Sequence, residues 1–262
     1  MLGHALRATA GAALGVWLGA APGLIAQAPT ATSPAPAVPS EPVVTWGGEV
    51  EVVSTYVWRG FRYSEGPVVW PSAWVAARGF SASLFLNYDR DGNPRCTESD
   101  VTFAYERTRG RLTLAGSYAR YVYFEGGQTD VTSELIGRAD VGIGPGALFT
   151  THAVDIDTYR GSYYAEAGYS VERDLDARST ISADASIAFW SPFIDRYTRG
   201  TAVHITDGTI GPLLLNVSYL RTLAPGLAIR PQISFIRIGD AVGRRVLNPP
   251  GVTAGLALVI GR

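Results

Sequence analysis

The sequence predicts an all-β protein: a closed up-and-down antiparallel transmembrane β-barrel of about twelve strands. Apolar and polar residues alternate along segments of roughly ten residues, long enough to cross a bilayer as tilted strands. Short and long breaks between these segments alternate strictly, as they do when all long loops lie at one end of a barrel. A leader typical of exported proteins precedes the strands.

Alternation alone does not say whether the apolar face points inward or outward. A soluble β-sandwich or a lipocalin-like barrel would bury that face, whereas a membrane barrel turns it towards lipid. About eight strands enclose a volume that wall side chains can fill, and twelve enclose more. We therefore predict an apolar outer face, with the soluble sandwich or lipocalin-like barrel as the alternative.

Composition narrows the possible partners. The formal net charge of the 262 residues is -1, which argues against nucleic acid as a partner. Cys96 is the only cysteine, so neither an intrachain disulfide nor a cysteine zinc cluster is possible. We predict no cofactor and no metal site, and we expect membrane lipid and small solutes or ions as the partners.

Three regions follow from the order of these patterns. Residues 1–28 resemble a signal peptide, with Arg7 before an apolar stretch and Ala26-Gln27-Ala28 as a possible cleavage site. Residues 29–45 are rich in Pro and Ala and are predicted to form a periplasmic linker. Residues 46–262 are predicted to form the barrel, in the outer membrane of a Gram-negative-type bacterium.

The first hairpin of the barrel is predicted to begin with a strand from Val50 to Arg59. Residues 60–67 then form a polar loop, which ends on the breakers Gly66 and Pro67. Because the linker stays in the periplasm, this first long loop is predicted to face outside. Arg59 ends the strand on the inward face, where we expect it to pair with a carboxylate on a neighbouring strand.

Three short patches carry a resemblance to a known family. They are Ser54-Thr55-Tyr56-Val57-Trp58-Arg59-Gly60, Thr132-Ser133-Glu134-Leu135 and Tyr163-Tyr164-Ala165-Glu166. Together with Ser64, Pro67 and Pro71, they resemble the TorF-like family of bacterial porins. The resemblance implies an outer-membrane barrel and no particular substrate. The chain ends in Gly261-Arg262, whereas many outer-membrane barrels end in an aromatic residue.

The same alternation predicts which charged side chains line the pore. They are Arg59, Asp100, Glu106, Glu134, Arg138, Glu166, Glu172, Asp184 and Arg230. Glu134 and Arg138 lie too far apart along one strand to pair with each other, so we expect each to pair across strands. The nine charges form either salt bridges that fill a narrow lumen or a pathway for ions and small solutes.

The predicted function is a small porin-like channel for ions or small solutes. Six acids against three bases on the inward face predict weak cation selectivity. The alternative is a non-conducting structural or surface-interaction barrel. We predict no enzymatic activity, because His152 and His204 both lack the His-x-Ser spacing of a membrane phospholipase.

Overall fold

The structure is a computed structural model that describes residues 44–89, 95–125, 128–191, 209–239 and 251–261. It also describes the paired two-residue strands Ala20–Ala21 and Leu24–Ile25. The rest of the predicted signal peptide, and all of the linker before residue 44, lie outside the described residues. No helix within the described ranges is long and apolar enough to span a membrane.

Twelve antiparallel strands form a closed barrel in which each strand pairs with its neighbours in the chain. In chain order they are β1 Thr45–Val53, β2 Val68–Ala77, β3 Phe80–Asp89, β4 Arg95–Arg109, β5 Leu112–Glu125, β6 Gln128–Ile143, β7 Gly146–Asp155, β8 Tyr163–Asp176, β9 Ser179–Ser191, β10 Thr209–Ala224, β11 Leu227–Ile238 and β12 Val252–Gly261. The barrel closes where β12 pairs with β1, from Gly255 opposite Val53 to Gly261 opposite Gly47. The predicted fold class is confirmed.

Apolar side chains cover the outer surface of the barrel. Six apolar residues whose place in the alternation predicts an outward side chain are 41–56% exposed, namely Phe103, Leu135, Ile187, Leu215, Phe235 and Leu258. Their sequence neighbours point inward, where Glu134 and Ser234 are buried. An apolar exterior around a polar interior is the arrangement of transmembrane β-barrels and the reverse of a soluble sandwich.

Short turns at one end of the barrel join β2 to β3, β4 to β5, β6 to β7, β8 to β9 and β10 to β11. Arg78 and Gly79 both have positive φ, at 53° and 84°, as a two-residue type I′ hairpin requires. The short break that the sequence suggests at residues 174–176 lies two to three residues too early. Asp176 ends β8 and accepts a hydrogen bond from the Arg178 amide at 2.7 Å, so the turn lies at residues 177–178.

Two turn glycines offer a matched test of backbone strain and close packing. Gly79 and Gly110 both have positive φ, but only at Gly79 would an added Cβ lie 2.6 Å from the carbonyl oxygen of Glu106. At Gly110 it would meet nothing within 4 Å. Left-handed backbone costs a non-glycine residue roughly 1–2 kcal/mol. We therefore expect Gly79→Ala to reduce the free energy of unfolding in urea more than Gly110→Ala does. Equal reductions in the two variants would contradict the close contact between Gly79 and Glu106.

The first long loop differs from the prediction. Strand β1 ends at Val53, six residues before Arg59, and residues 54–67 fold into the barrel instead of facing outside. Within them, Val57–Trp58 pairs with Phe61–Arg62 around a turn at Arg59 and Gly60, whose φ angles are 50° and 88°. We call residues 54–67 the inner loop. It fills space that the wall side chains of a twelve-stranded barrel cannot fill by themselves.

Candidate functional site

The inner loop packs against the barrel wall on several sides. Tyr56 is 1% exposed and packs with Trp58 against Trp70 and Phe85 of β2 and β3. Phe61 packs against the wall opposite, with a buried cluster made of Ala153, Tyr164, Ala188, Trp190 and Ile238. Val57 contacts a third area, formed by Leu214 and Ile236 of β10 and β11. The loop therefore spans the lumen near the end that carries the long loops.

An ion pair anchors the tip of the inner loop. Arg59 donates two parallel hydrogen bonds to Glu134 on β6, from Nη1 to Oε1 at 2.7 Å and from Nη2 to Oε2 at 2.8 Å. The two side chains are only 10% and 7% exposed. The guanidinium also lies between the rings of Trp58 and Tyr164, 4.3 and 4.4 Å from their centroids. Bidentate arginine–carboxylate pairs are among the strong hydrogen-bonded pairs in proteins.

The partner of Arg59 corrects a second expectation. We predicted a carboxylate on a neighbouring strand, but β1 pairs with β2 and β12, and Glu134 lies on β6. The pair forms across the lumen because the inner loop carries Arg59 away from its own strand. Tyr121 supports Glu134 from the wall, since its hydroxyl donates to Glu134 Oε2 at 3.0 Å.

The base of the inner loop is held by a hydrogen bond to the nearby wall and by hydrogen bonds within the loop itself. The Tyr56 hydroxyl donates to Glu98 Oε2 on β4 at 2.6 Å. Ser64 accepts from the Tyr56 amide through its Oγ at 2.8 Å and from the Thr55 hydroxyl through its carbonyl at 2.6 Å. Loop and wall are therefore joined by polar contacts at two levels, Tyr56 and Arg59.

Two further arginines of the predicted set lie in ion pairs on the inner wall. Arg138 pairs with Asp140 at 2.7 Å, so its partner lies two residues away on the same strand and the cross-strand expectation is wrong for it. Its guanidinium also lies 4.3 Å from the ring centroid of Phe149. Arg230 contacts Glu49 at 3.0 Å and Glu51 at 3.5 Å, reaching over β12 to β1.

Three of the predicted acids accept hydrogen bonds from neutral side chains. Glu166 accepts from the Tyr164 hydroxyl at 2.8 Å, and Asp184 accepts from Asn216 Nδ2 at 2.9 Å. Glu172 accepts from the Ser182 hydroxyl at 3.2 Å and lies exposed near the short-turn end. These contacts orient the carboxylates without cancelling their charge.

The last two acids of the set mark different depths of the barrel. Asp100 is buried on β4, two residues from Glu98, which accepts the Tyr56 hydrogen bond. Glu106 lies on the same strand, half-buried and closer to the short-turn end.

Sequence reasoning missed several inward acids. They are Glu49, Glu51, Glu98, Asp140 and Asp155. The period-two alternation predicts most of them, because residues two apart on a strand share a face. Glu98 therefore lies on the same face as Asp100, and Asp140 on the same face as Arg138. Asp155 holds the loop after β7. Its Oδ1 accepts hydrogen bonds from the backbone amides of Asp157 and Tyr159 at 2.9 and 3.0 Å. All five carboxyl groups face an interior that already contains the six predicted acids.

The space between the inner loop and strands β10 to β12 is small. A cavity of about 20 Å³ lies there, lined by residues that include Val57, Arg59, Asn216, Gln232 and Gly255. Roughly 10–15 Å³ is needed to hold one water molecule, so this cavity has room for about one. The inner loop therefore leaves little free space between itself and this part of the wall.

His152, one of the two histidines considered for catalysis, lies on the outer surface of the barrel. His152 Nε2 shares a hydrogen bond with Thr150 Oγ1 at 3.0 Å, and Nδ1 shares one with the Tyr163 hydroxyl at 2.5 Å. His204 lies outside the described residues. Among the residues the structure describes, no group of three or more His, Cys, Asp or Glu side chains could hold a metal ion. The predicted lack of enzymatic activity stays a prediction.

Comparison with known proteins identifies similar solved structures only. No family model matches the chain, and no curated protein matches it, so the resemblance to the TorF-like family stays a prediction. The NanC porin is 9% identical, with a TM-score of 0.48, over 83% of this chain and 98% of that one. The translocator domain of the autotransporter NalP from Neisseria meningitidis is 12% identical, with a TM-score of 0.46. The match covers 83% of this chain and 87% of that one. An outer-membrane channel from Pseudomonas putida F1 is 10% identical, with a TM-score of 0.45. The match covers 86% of this chain and 97% of that one.

Proposed function

We propose that this chain is a porin-like barrel of the bacterial outer membrane, with an acidic lumen that the inner loop constricts and that passes small cations. The observation that carries the proposal is the inner loop itself, folded into the lumen and joined to the far wall by Arg59 and Glu134. A loop inside a polar lumen limits the size of what passes. The apolar exterior supports a place in lipid, and the TorF-like resemblance supports the outer membrane.

The charges around the constriction support cation preference. Arg59, Arg138 and Arg230 each lie against at least one carboxylate. Glu166 and Asp184 accept hydrogen bonds from neutral partners, so their charges still act on the lumen. Low-dielectric walls focus the field of such carboxylates and concentrate cations between them.

Reversal potentials across a KCl gradient, measured with the refolded protein in planar bilayers, test the selectivity. We expect a weak cation preference that falls as salt rises, because the screening length shortens from about 10 Å at 0.1 M to about 3 Å at 1 M. Glu166→Gln combined with Asp184→Asn should reduce the preference. Glu65→Gln, in the exposed part of the inner loop, is the control and should leave it unchanged. An anion preference of the wild type would overturn the electrostatic argument.

A second candidate is a non-conducting structural or surface-interaction barrel. The one-water cavity beside the inner loop favours it, because such a space passes no hydrated solute without movement of the loop. Conductance separates the two functions. If neither the wild type nor a variant with a released inner loop conducts, the channel function is refuted and the second candidate holds.

A further inference from the structure

A groove lies on the outer surface of the barrel, on the side of the wall away from the lumen. It has a volume of about 680 Å³ and crosses strands β3 to β8. Its floor contains Gly116 and Gly137, which face each other across β5 and β6. An added Cβ would meet nothing within 4 Å at either glycine. The groove exists because two glycines leave a depression where neighbouring strands carry large side chains.

The walls of the groove are suited to hydrocarbon. Phe80, Phe103 and Tyr105 form one side, and Val154, His152 and Tyr163 form the other. The two ring nitrogens of His152 share hydrogen bonds with Thr150 and Tyr163. These polar atoms satisfy one another, as groups facing a lipid phase must. The groove therefore presents an almost entirely apolar surface to the membrane.

A positive charge lies just beyond the groove, towards the end that carries the long loops. Arg120 follows Tyr118 by two residues on the same outward face of β5, which places it about 6–7 Å further along the strand. It is exposed, and within the described residues its side chain forms no ion pair or hydrogen bond. Its guanidinium is thus available to an anion that sits at this edge of the groove.

We propose that this groove binds one anionic phosphate-headgroup lipid of the surrounding membrane, with an acyl chain over Gly116 and Gly137 and the phosphate at Arg120. The volume lies in the range of about 300–1,000 Å³ typical of small-molecule sites. Guanidinium groups bind phosphate oxygens through paired hydrogen bonds. The proposal requires the barrel to lie in lipid and is independent of whether the lumen conducts.

Native mass spectrometry of the full-length protein, extracted from vesicles of equal phosphatidylglycerol and phosphatidylcholine with identical acyl chains, tests the site. We expect one retained phosphatidylglycerol, favoured about fivefold over phosphatidylcholine, since one arginine near an anionic surface contributes roughly 1 kcal/mol. Arg120→Gln should remove this preference. Arg107→Gln, which removes an exposed outward arginine of β4, should keep it.

Filling the groove tests the site of the acyl chain. Gly137→Phe has room for its side chain and should abolish retention of both lipids, whereas Ala167→Phe, outward on β8, should not. Heat-modified electrophoretic mobility checks that each variant folds. Equal retention of the two lipids by the wild type, or full retention by Gly137→Phe, would overturn the proposal. A lipid-free dimer that Gly137→Phe converts to a monomer would also overturn it and would make the groove an interface between copies.

Discussion

Arg59→Ala will release the inner loop, raise single-channel conductance and expose residues 60–67 to protease. The substitution leaves Glu134 as a buried carboxylate without its partner, at 7% exposure. Breaking one side of a buried ion pair costs about 3–5 kcal/mol. It also removes the guanidinium packed between Trp58 and Tyr164. A loop with a weakened anchor leaves the lumen more often, so both conductance and the rate of cleavage should rise.

Arg62→Ala is the matched control for that experiment, because it removes the same charge from the same loop. Arg62 pairs with Glu65 at 2.8 Å, but the two side chains are 25% and 76% exposed. Exposed pairs contribute only about 0–1 kcal/mol, so this variant should behave like the wild type. The double variant Arg59→Gln with Glu134→Gln should be less perturbed than Arg59→Ala, because no charge is left buried. Equal cleavage of the Arg59→Ala and Arg62→Ala variants would contradict the anchoring role.

Leu215→Arg is expected to destabilise the barrel by roughly 2–4 kcal/mol, as arginine does at the bilayer midplane of a barrel's lipid face. Leu215 lies near the middle of β10 and is 41% exposed on the outer surface. The adjacent Asn216 points inward and donates to Asp184 at 2.9 Å. Asn216→Arg therefore places the same side chain beside a carboxylate and should cost much less.

Urea unfolding of the protein in phospholipid vesicles measures both variants on one scale. The two substitutions are adjacent in the chain, so their difference reports only which face each residue occupies. Similar losses of unfolding free energy for the two variants would show that β10 does not have lipid on one side and lumen on the other. In that case the apolar exterior would have to be covered by protein.

The strand architecture was predictable from the sequence because it depends on local order. Period-two alternation places Phe103 outside and Asp100 inside from the residues of β4 alone. Alternating break lengths are equally local, and they led to twelve strands with long loops at one end. The same alternation, applied to every strand, also predicts that Glu51, Glu98 and Asp140 point inward.

The inner loop and its contacts were decided by the tertiary structure. Residues 54–59 continue an alternating pattern, so nothing local distinguishes a longer β1 from a loop that turns into the lumen. The turn at Arg59 and Gly60 uses positive φ at both residues, a geometry that the Arg-Gly pair at residues 78–79 adopts in an ordinary hairpin.

Arg59 and Glu134 lie 75 residues apart and meet only because the barrel closes around them. The number of strands sets the width of the lumen, and that width sets how much side-chain volume is missing from its centre. Which residue pairs with Arg59 depends on which part of the wall the inner loop reaches. Alternation along one strand contains no information about that distance across the barrel, and so only the closed structure could pair the two residues.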